Sequence, residues 1–372
     1  MASYRVISSD SHIVEPPDVW TNRVEPKYRD KAPRIVRMED GTDRWFCGDI
    51  NMVGMHPGIQ PGTRFDEPEK LTMSGTFDEV TLGGYIPDEH VKDLDVDGVD
   101  SDVLYPSCTF SLFTLIQDSD LLTALLRAYN DWIAEFCKSY PDRLKGIAVI
   151  NLDDVEVGVK EIERCARLGL VGATITVYPP TGRAYDSPEY ERLWAAAQDL
   201  QMPLTLHIGS NRPGPGESSP IRGNRSDFTN IDHWVRMSLA DMIYDGVFRR
   251  YPKLHVGSVE MELAWVPHFL GRMDYDYTQR PLREGWKRFD EDMLPSDYFH
   301  RNVWVDVQED ALGIRDRDII GVDNIMWGSD YPHQEGTFPR SRQILEEILA
   351  DCTEDEKAKI AGGNAAKAFH LD

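Results

Sequence analysis

Five acidic and histidine side chains lie where buried strands of this sequence are predicted to end. Asp10 and His12 close the first apolar run, and His207, Glu260 and Asp330 close three later ones. Residues i and i+2 of a strand face the same side, so Asp10 and His12 can bind one ion. A mixed set of imidazole and carboxylate ligands suits iron, manganese or zinc. The spacing therefore predicts a metal centre with these five residues as ligands.

Four other residues are candidates for the same site, each with an alternative. His333, three residues after Asp330, is a ligand, a proton shuttle or a loop residue. Glu15 and Glu262 either complete the ligand set of a second ion or face solvent. Tyr105, at the end of another apolar run, either donates a hydrogen bond to substrate or packs against its neighbours.

A loop rich in glycine, proline and serine follows His207 and carries Arg212, Arg222 and Arg225. Arginine forks match carboxylate and phosphate groups, so these side chains are candidates for binding an anionic part of a substrate. The alternative is a solvated surface loop.

The candidate ligands can bind one ion only if the strands that carry them end close together. Eight short apolar strands alternate with helical segments, which predicts parallel βαβ units closed into a (β/α)8 TIM barrel. No strand is followed by a Gly-x-Gly-x-x-Gly loop, which argues against a dinucleotide-binding sheet. In such a barrel the carboxyl ends of all strands form one mouth. The predicted strands are 5–16 with its turn, 101–105, 146–150, 172–177, 202–207, 254–260, 303–306 and 324–330.

One long segment interrupts this alternation. Residues 18–85 are rich in glycine, proline and charges and show no long periodic stretch. A loop of this length inside a compact protein is functional or disordered. We predict one domain over residues 1–372, in which 18–85 is an irregular insertion that forms a lid over the barrel mouth.

Composition excludes several classes of partner. The formal net charge of −24 argues against binding nucleic acid or an anionic membrane. The sequence shows neither a membrane-spanning run nor a secretory leader, which predicts a cytoplasmic protein. The five cysteines form no Cys-x-x-Cys pair, so neither a disulfide framework nor a thiolate metal site is expected. The aromatic residues Trp234, Trp265, Phe269 and Trp286 either cover the interface of a homo-oligomer or lie in the core.

The motifs together resemble the amidohydrolase-related, metal-dependent TIM-barrel proteins. The resemblance rests on Asp-Ser-His-x-x-Glu-Pro-Pro at 10–17, Leu-Tyr-Pro at 104–106, Leu-His at 206–207 and Gly-Ser-Asp-Tyr-Pro-His at 328–333. It implies a metal-dependent hydrolase or a non-oxidative decarboxylase. Asp10 and Glu260 stand where the family pattern has histidines, and the fourth strand carries no lysine to bridge two ions.

Within that group, the Asp-x-His…Glu pattern is similar to the non-haem diiron monooxygenases of platensimycin-type diterpenoid biosynthesis, a part of antibiotic biosynthesis. This similarity implies one or two iron ions, dioxygen, and a bulky apolar substrate of the kind that is linked to CoA. An oxidoreductase of this kind is our first expectation. The alternative is metal-assisted hydrolysis or decarboxylation with zinc or manganese, in which Asp330 or His333 is the base. A non-catalytic binding protein is the third interpretation.

Overall fold

The eight predicted strands form one parallel sheet that curves into a barrel. The computed structural model describes residues 4–55, 58–219, 224–283, 286, 288–289 and 292–371. Each strand pairs with the next one along the chain. The (β/α)8 barrel predicted from the sequence is therefore confirmed. Its strands are β1 Ile7–Ile13, β2 Ser101–Pro106, β3 Leu144–Val149, β4 Gly172–Ile175, β5 Leu204–His207, β6 Val256–Val259, β7 Val303–Val307 and β8 Ile325–Trp327.

The barrel closes through contacts between β1 and the turn that follows β8. The Asp330 backbone N–H donates to the Asp10 carbonyl over 2.9 Å, and the His12 N–H donates to the Tyr331 carbonyl over 2.5 Å. Two candidate ligands from the start of the chain are thus fixed directly to a third near its end. We call this junction the seam.

Helices cover the outside of the barrel, so nearly every strand residue is buried. Two helices of eight residues were not predicted from the sequence, Cys108–Leu115 and Pro295–Asn302. The apolar residues of Cys108–Leu115 lie on all sides and show no helical period. None of the helices in the described ranges is long and apolar enough to cross a membrane. The α-helices of six or more residues are Asp18–Arg23, Pro87–Asp97, Cys108–Leu115, Ser119–Cys137, Val155–Leu168, Glu191–Asp199, His233–Tyr244, Val266–Gln279, Pro295–Asn302 and Ser341–Ile348.

Shorter turns of helix connect these elements. The single α turns are Thr63–Asp66, Arg225–Thr229, Val247–Arg250, Ala311–Arg315, Arg317–Ile320, Glu354–Ala358 and Asn364–Ala368. The 3-10 segments are Pro26–Lys31, Pro68–Lys70, Phe77–Glu79, Leu82–Gly84, Pro188–Tyr190 and Val322–Asn324. Near the end of the chain, the helical turns Glu354–Ala358 and Asn364–Ala368 are joined by a π turn, Lys359–Gly363.

The insertion 18–85 is more regular than predicted. It contains an antiparallel sheet of three strands, Pro33–Arg37, Asp43–Cys47 and Ile50–Gly54. Each strand has only five residues and mixes polar with apolar positions, so the sequence shows no alternation long enough to predict a strand. The insertion contacts the segment after β8, where the Arg64 Nε donates to the Gly336 carbonyl over 3.0 Å. Its role as a lid stays a prediction.

The π turn near the end of the chain packs directly on β1. A β-carbon on Gly362 would lie 2.6 Å from the Arg5 carbonyl oxygen and 2.9 Å from the Ile7 nitrogen. These are backbone atoms of the segment that leads to Asp10 and His12. The absence of a side chain at Gly362 therefore sets how closely the last helical segment supports the first strand.

We expect Gly362→Ala to lower the free energy of unfolding by about 1–3 kcal/mol, because the added methyl group meets backbone that has no room to move. Urea unfolding at neutral pH measures this. Gly271→Ala is the matched control, since a β-carbon there meets nothing within 4 Å. That change lies in an exposed helix position and should leave stability unchanged or raise it slightly. Equal behaviour of the two variants would contradict the packing argument.

Candidate metal centre

The carboxyl ends of β1, β5 and β6 bring four of the predicted ligands together. His12 Nε2 lies 3.5 Å from Asp10 Oδ1 and 3.9 Å from Glu260 Oε2. His207 Nε2 lies 3.4 Å from Asp10 Oδ1 and 3.5 Å from Glu260 Oε2. One ligand atom from each residue thus lies within 4.8 Å of all the others. We call these residues the four-ligand group.

The backbone fixes the orientation of both imidazoles. His12 Nδ1 lies 2.9 Å from the Pro106 carbonyl, and His207 Nδ1 lies 2.8 Å from the Ile208 carbonyl. A carbonyl only accepts, so Nδ1 carries the proton and Nε2 presents a lone pair to the centre of the group. Both Nε2 atoms and Asp10 Oδ1 are buried without a hydrogen-bond partner. Buried polar atoms are normally paired, so this donor set fits a divalent cation.

Asp330 and His333 stand beside the four-ligand group. Asp330 Oδ1 lies 3.4 Å from His12 Nε2 and 2.7 Å from His333 Nδ1. The His333 ring stacks on the His12 ring at 4.0 Å, and its Nε2 lies 3.0 Å from the Ser107 hydroxyl. The structure therefore forms a continuous polar chain from Ser107 through His333 to Asp330.

Three carboxylates at the barrel mouth sit on strained backbone. Glu260, Glu262 and Asp330 have φ values of 61°, 56° and 56°. Side chains other than glycine rarely adopt this left-handed region, which costs about 1–3 kcal/mol per residue and is concentrated at functional sites. The chain turns sharply where β6 and β8 end, and that turn aims Glu260 and Asp330 across the mouth.

Burial dominates the electrostatics of the site. It raises the pKa values of Glu260, Asp306 and Asp330 well above those of ordinary carboxyl groups, and neighbouring carboxylates such as Asp10 add to the effect. Burial also lowers the pKa of His12 far below its usual range. The site therefore concentrates buried carboxyl groups that repel one another when ionised, an environment that favours a bound cation.

A cavity of about 200 Å³ opens above this cluster. One wall is apolar and comes from the segment that follows β5, and the floor is acidic. The lining residues are Asp10, Ile208, Phe228, Ile231, Glu260, Glu262, Asp306, Gln308, Gly328 and Glu335.

Glu15 and Glu262 do not join the four-ligand group. Glu15 is fully buried, and its carboxylate accepts the backbone N–H groups of Cys108 and Thr109, each over 2.9 Å. It thus binds the first turn of the helix that begins at Cys108. Glu262 lines the cavity, but its carboxylate accepts the N–H groups of Gln308 and Glu309 over 3.2 and 3.3 Å. The expectation that Glu15 faces solvent is wrong.

The remaining candidates differ in their distance from the centre. The Tyr105 ring is fully buried with its centroid 5.0 Å from that of His207. Arg212 is buried elsewhere, where it forms a bidentate pair with Asp153 and donates to the Phe113 and Ile116 carbonyls. Its donors are largely occupied by the protein itself.

The other two arginines give no support for a substrate clamp. Arg225 is exposed at the start of the short helix Arg225–Thr229, and Arg222 lies outside the described residues. Substrate binding by the three arginines stays a prediction.

Sequence reasoning missed two polar neighbours of the site, Ser107 and Glu335. Ser107 directly follows the Leu-Tyr-Pro motif at the end of β2, a position that the strand-end rule indicates. Glu335 lies five residues after Asp330 in a turn, and no local pattern places its carboxylate near Glu260.

Comparisons with known proteins were made with this geometry in hand. Residues 113–371 match a family model described as Amidohydrolase. The gamma-resorcylate decarboxylase of Polaromonas sp. strain JS666 is 24% identical over 303 residues, which cover 77% of this chain and 88% of that protein.

Solved structures show the same barrel. An amidohydrolase from Mycobacterium avium subsp. paratuberculosis K-10 superposes with a TM-score of 0.80 at 22% identity, covering 99% of this chain and 100% of the other. A dihydroxybenzoic acid decarboxylase from Polaromonas sp. JS666, solved with bound manganese and the inhibitor 2-nitroresorcinol, superposes with a TM-score of 0.67 at 19% identity over 99% and 97% of the two chains. The expected amidohydrolase-like fold is therefore confirmed.

The same comparisons correct the expected reaction. The monooxygenase interpretation is wrong, because these relatives are decarboxylases and not oxidoreductases. The expectations of dioxygen, a CoA-linked substrate and a place in antibiotic biosynthesis rest on that resemblance alone. The expectation of an enzyme is confirmed, whereas the iron expected from the resemblance has no counterpart in the manganese-containing relative.

We expect Glu15→Gln to lower stability by about 1–2 kcal/mol without changing metal content, because only one amide oxygen remains to accept two buried N–H groups. Urea unfolding and elemental analysis of the same preparation measure the two properties. Asp10→Asn is the comparison, since that change alters a member of the four-ligand group and should reduce metal content. Loss of metal from Glu15→Gln would instead make Glu15 a ligand.

Proposed function

Because the chain belongs to the amidohydrolase family, we propose that it is a metal-dependent, non-oxidative decarboxylase of an aromatic carboxylic acid. The observation that carries this proposal is a buried proton-holding pair, Asp330 and His333, directly beside a group of side chains that fits a divalent cation. The decarboxylase relatives support the reaction class.

Asp10, His12, His207 and Glu260 are the proposed ligands. Two imidazole nitrogens and two carboxylates suit manganese, zinc or iron, and manganese is the first choice because it is bound in a decarboxylase of the same fold. When bound, the cation supplies positive charge that orients the substrate carboxylate or a neighbouring ring oxygen.

The proposed reaction exchanges carbon dioxide for a proton. A proton is added to the ring carbon that bears the carboxylate, and the bond between that carbon and the carboxylate then breaks. The electron pair of the broken bond returns to the ring, and carbon dioxide leaves. No oxidant or reductant is consumed, so the protein must mainly provide a proton at the correct carbon and exclude water.

Asp330 is the proposed proton donor. Its pKa is raised well above that of an ordinary carboxyl group, mainly by burial, which favours the protonated form that a donor needs. His333 lies 2.7 Å from Asp330 Oδ1 and contacts the Ser107 hydroxyl on its other side. The series of polar groups from Ser107 through His333 can return a proton to Asp330 after each turnover.

The cavity supports a small aromatic substrate. A volume of about 200 Å³ accommodates one substituted ring. Ile208, Phe228 and Ile231 form an apolar wall for its face, while Gln308 and Glu335 offer hydrogen-bond acceptors to ring hydroxyl groups.

We also propose that the chain acts as one domain with 18–85 over the mouth. In support, the insertion reaches the turn after β8 through Arg64 and through Gln60, whose Oε1 accepts a hydrogen bond of 3.0 Å from Gln334. A cover in this place would exclude water during the proton transfer.

We expect the manganese-loaded protein to convert 2,6-dihydroxybenzoate, or a related hydroxybenzoate, to the corresponding phenol and carbon dioxide at the same rate with and without oxygen. Ultraviolet absorbance follows loss of the acid, and carbon dioxide release is measured in sealed vials. Protein stripped of metal is the control. Hydrolysis of aryl esters without release of carbon dioxide from any hydroxybenzoate would overturn the proposal.

We expect Asp330→Asn to lower kcat by at least about 100-fold while the protein keeps its tightly bound cation, because the variant loses a proton donor and not a member of the four-ligand group. His207→Ala is the comparison and should lose the cation as well as the activity. Elemental analysis and steady-state kinetics separate the two outcomes. Activity of Asp330→Asn within tenfold of the wild type would exclude Asp330 as the donor.

A further inference from the structure

A second cavity opens at the opposite end of the barrel from the candidate metal centre, where the strands β5 to β8 begin. Its volume is about 360 Å³. The residues that line it at or directly before the start of these strands are Pro203, His255, Val303 and Asn324. Its basic lining residues are Lys253, His255, His300, Arg301, Lys367 and His370. We call this space the basal cavity.

The basal cavity is basic in a strongly acidic protein. The formal net charge of the chain is −24, yet Asp323 is the only acidic residue among the described residues that line this space. Its carboxylate is already paired, because Lys359 Nζ lies 3.1 Å from Asp323 Oδ1. The protein therefore supplies little free negative charge inside the basal cavity.

Two of the six basic side chains are bound by the protein itself. Arg301 donates to the Phe248 carbonyl over 2.6 Å. His300 Nε2 lies 3.0 Å from the Ile319 carbonyl, and because a carbonyl only accepts, this nitrogen is a donor. These contacts hold both side chains in the cavity wall.

The other four basic side chains are available to a ligand. Within the described ranges, no hydrogen bond or ion pair involves the side chains of Lys253, His255, Lys367 and His370. All four residues are exposed to solvent at the rim of the cavity. Desolvation by the cavity wall lowers the pKa of His255, and the positive charges of Lys367 and His370 add to the effect. A bound anion would relieve this repulsion.

Trp304 provides an independent observation. It lines the basal cavity and is 3% exposed, and its indole N–H lacks a hydrogen-bond partner. The ring is confined, because a β-carbon on Gly257 would lie 2.2 Å from it and the Phe369 ring packs against it with the centroids 5.5 Å apart. A buried N–H without a partner is costly, so this donor needs an acceptor.

The backbone around the basal cavity is unusual as well. Five described residues other than glycine have positive φ values, and three of them are the carboxylates at the barrel mouth. The other two, Gln201 at 53° and His370 at 54°, both line the basal cavity. Each follows the end of a helix, a position that glycine usually occupies. Side chains kept on such backbone cost free energy and are concentrated at functional sites.

We propose that the basal cavity binds a small organic anion, with its carboxylate or phosphate group among Lys253, His255 and Lys367. The Trp304 N–H donates to this ligand, and Met202 and Met326 belong to an apolar wall for the rest of the molecule. The volume falls within the range of about 300–1,000 Å³ that ligand pockets occupy, so an organic molecule fits better than an inorganic ion. Barrel enzymes perform their chemistry at the other end, so this site lies outside the proposed decarboxylation.

The test measures binding of phenyl phosphate, benzoate and inorganic phosphate to the full-length, manganese-loaded protein by isothermal titration calorimetry. We expect phenyl phosphate or benzoate to bind, and the double variant Lys253→Gln/Lys367→Gln to raise its Kd at least about 10-fold, because two charged donors are lost. Benzoate bound at the barrel mouth would be unaffected by this double variant. The ligand with the lower Kd identifies the preferred anionic group.

Lys138→Gln/Lys160→Gln is the matched control, because it changes the net charge equally at exposed lysines that do not line the basal cavity. It should leave the Kd unchanged. Trp304→Phe keeps an aromatic ring without the N–H and should raise the Kd about 3-fold or more. The proposal is overturned if neither organic anion binds, if both double variants weaken binding equally, or if inorganic phosphate binds as tightly as phenyl phosphate.

Discussion

The barrel mouth depends on one electrostatic constraint, the burial of several carboxylates and imidazoles that face one another. Asp10, Asp306 and Asp330 are at most 4% exposed, and each points toward other acidic or neutral groups. Removing an unpaired charge from water costs several kcal/mol, far more than a typical surface interaction recovers. The fold tolerates this arrangement either by keeping protons on the carboxyl groups or by accepting a cation. Both solutions are useful to an enzyme that handles protons and polarises a carboxylate.

Positioning of the site comes almost entirely from the backbone. Main-chain carbonyls orient both imidazoles, and left-handed backbone at Glu260 and Asp330 turns their side chains inward.

Much of the fold and part of the site follow from local sequence. The eight strands were predictable because each is a short apolar run bounded by polar residues, and Asp10, His12, His207 and Glu260 followed from the rule that barrel sites lie at strand ends. Glu335 was not predictable, because its proximity to Glu260 depends on a turn fixed by contacts distant in sequence.

Two other features could not be predicted from local sequence, for the same physical reason. The bidentate pair of Arg212 with Asp153 joins residues 59 positions apart, which no local pattern reveals. The monooxygenase interpretation took carboxylates in place of histidines as a sign of iron and oxygen chemistry. Ligand type restricts the metal, but the reaction depends on where a proton can be delivered, and that requires the positions of Asp330, His333 and Ser107 in space.

The seam has a consequence for how the protein is made. The first strand leaves the ribosome long before β8, and its direct contacts with the turn after β8 join residues about 320 positions apart. Until the last strand is synthesised, the sheet remains open with two unpaired edges, which are prone to associate with other chains. The candidate site, which includes Asp330 and His333 from the turn after β8, is therefore completed only after that turn has been synthesised.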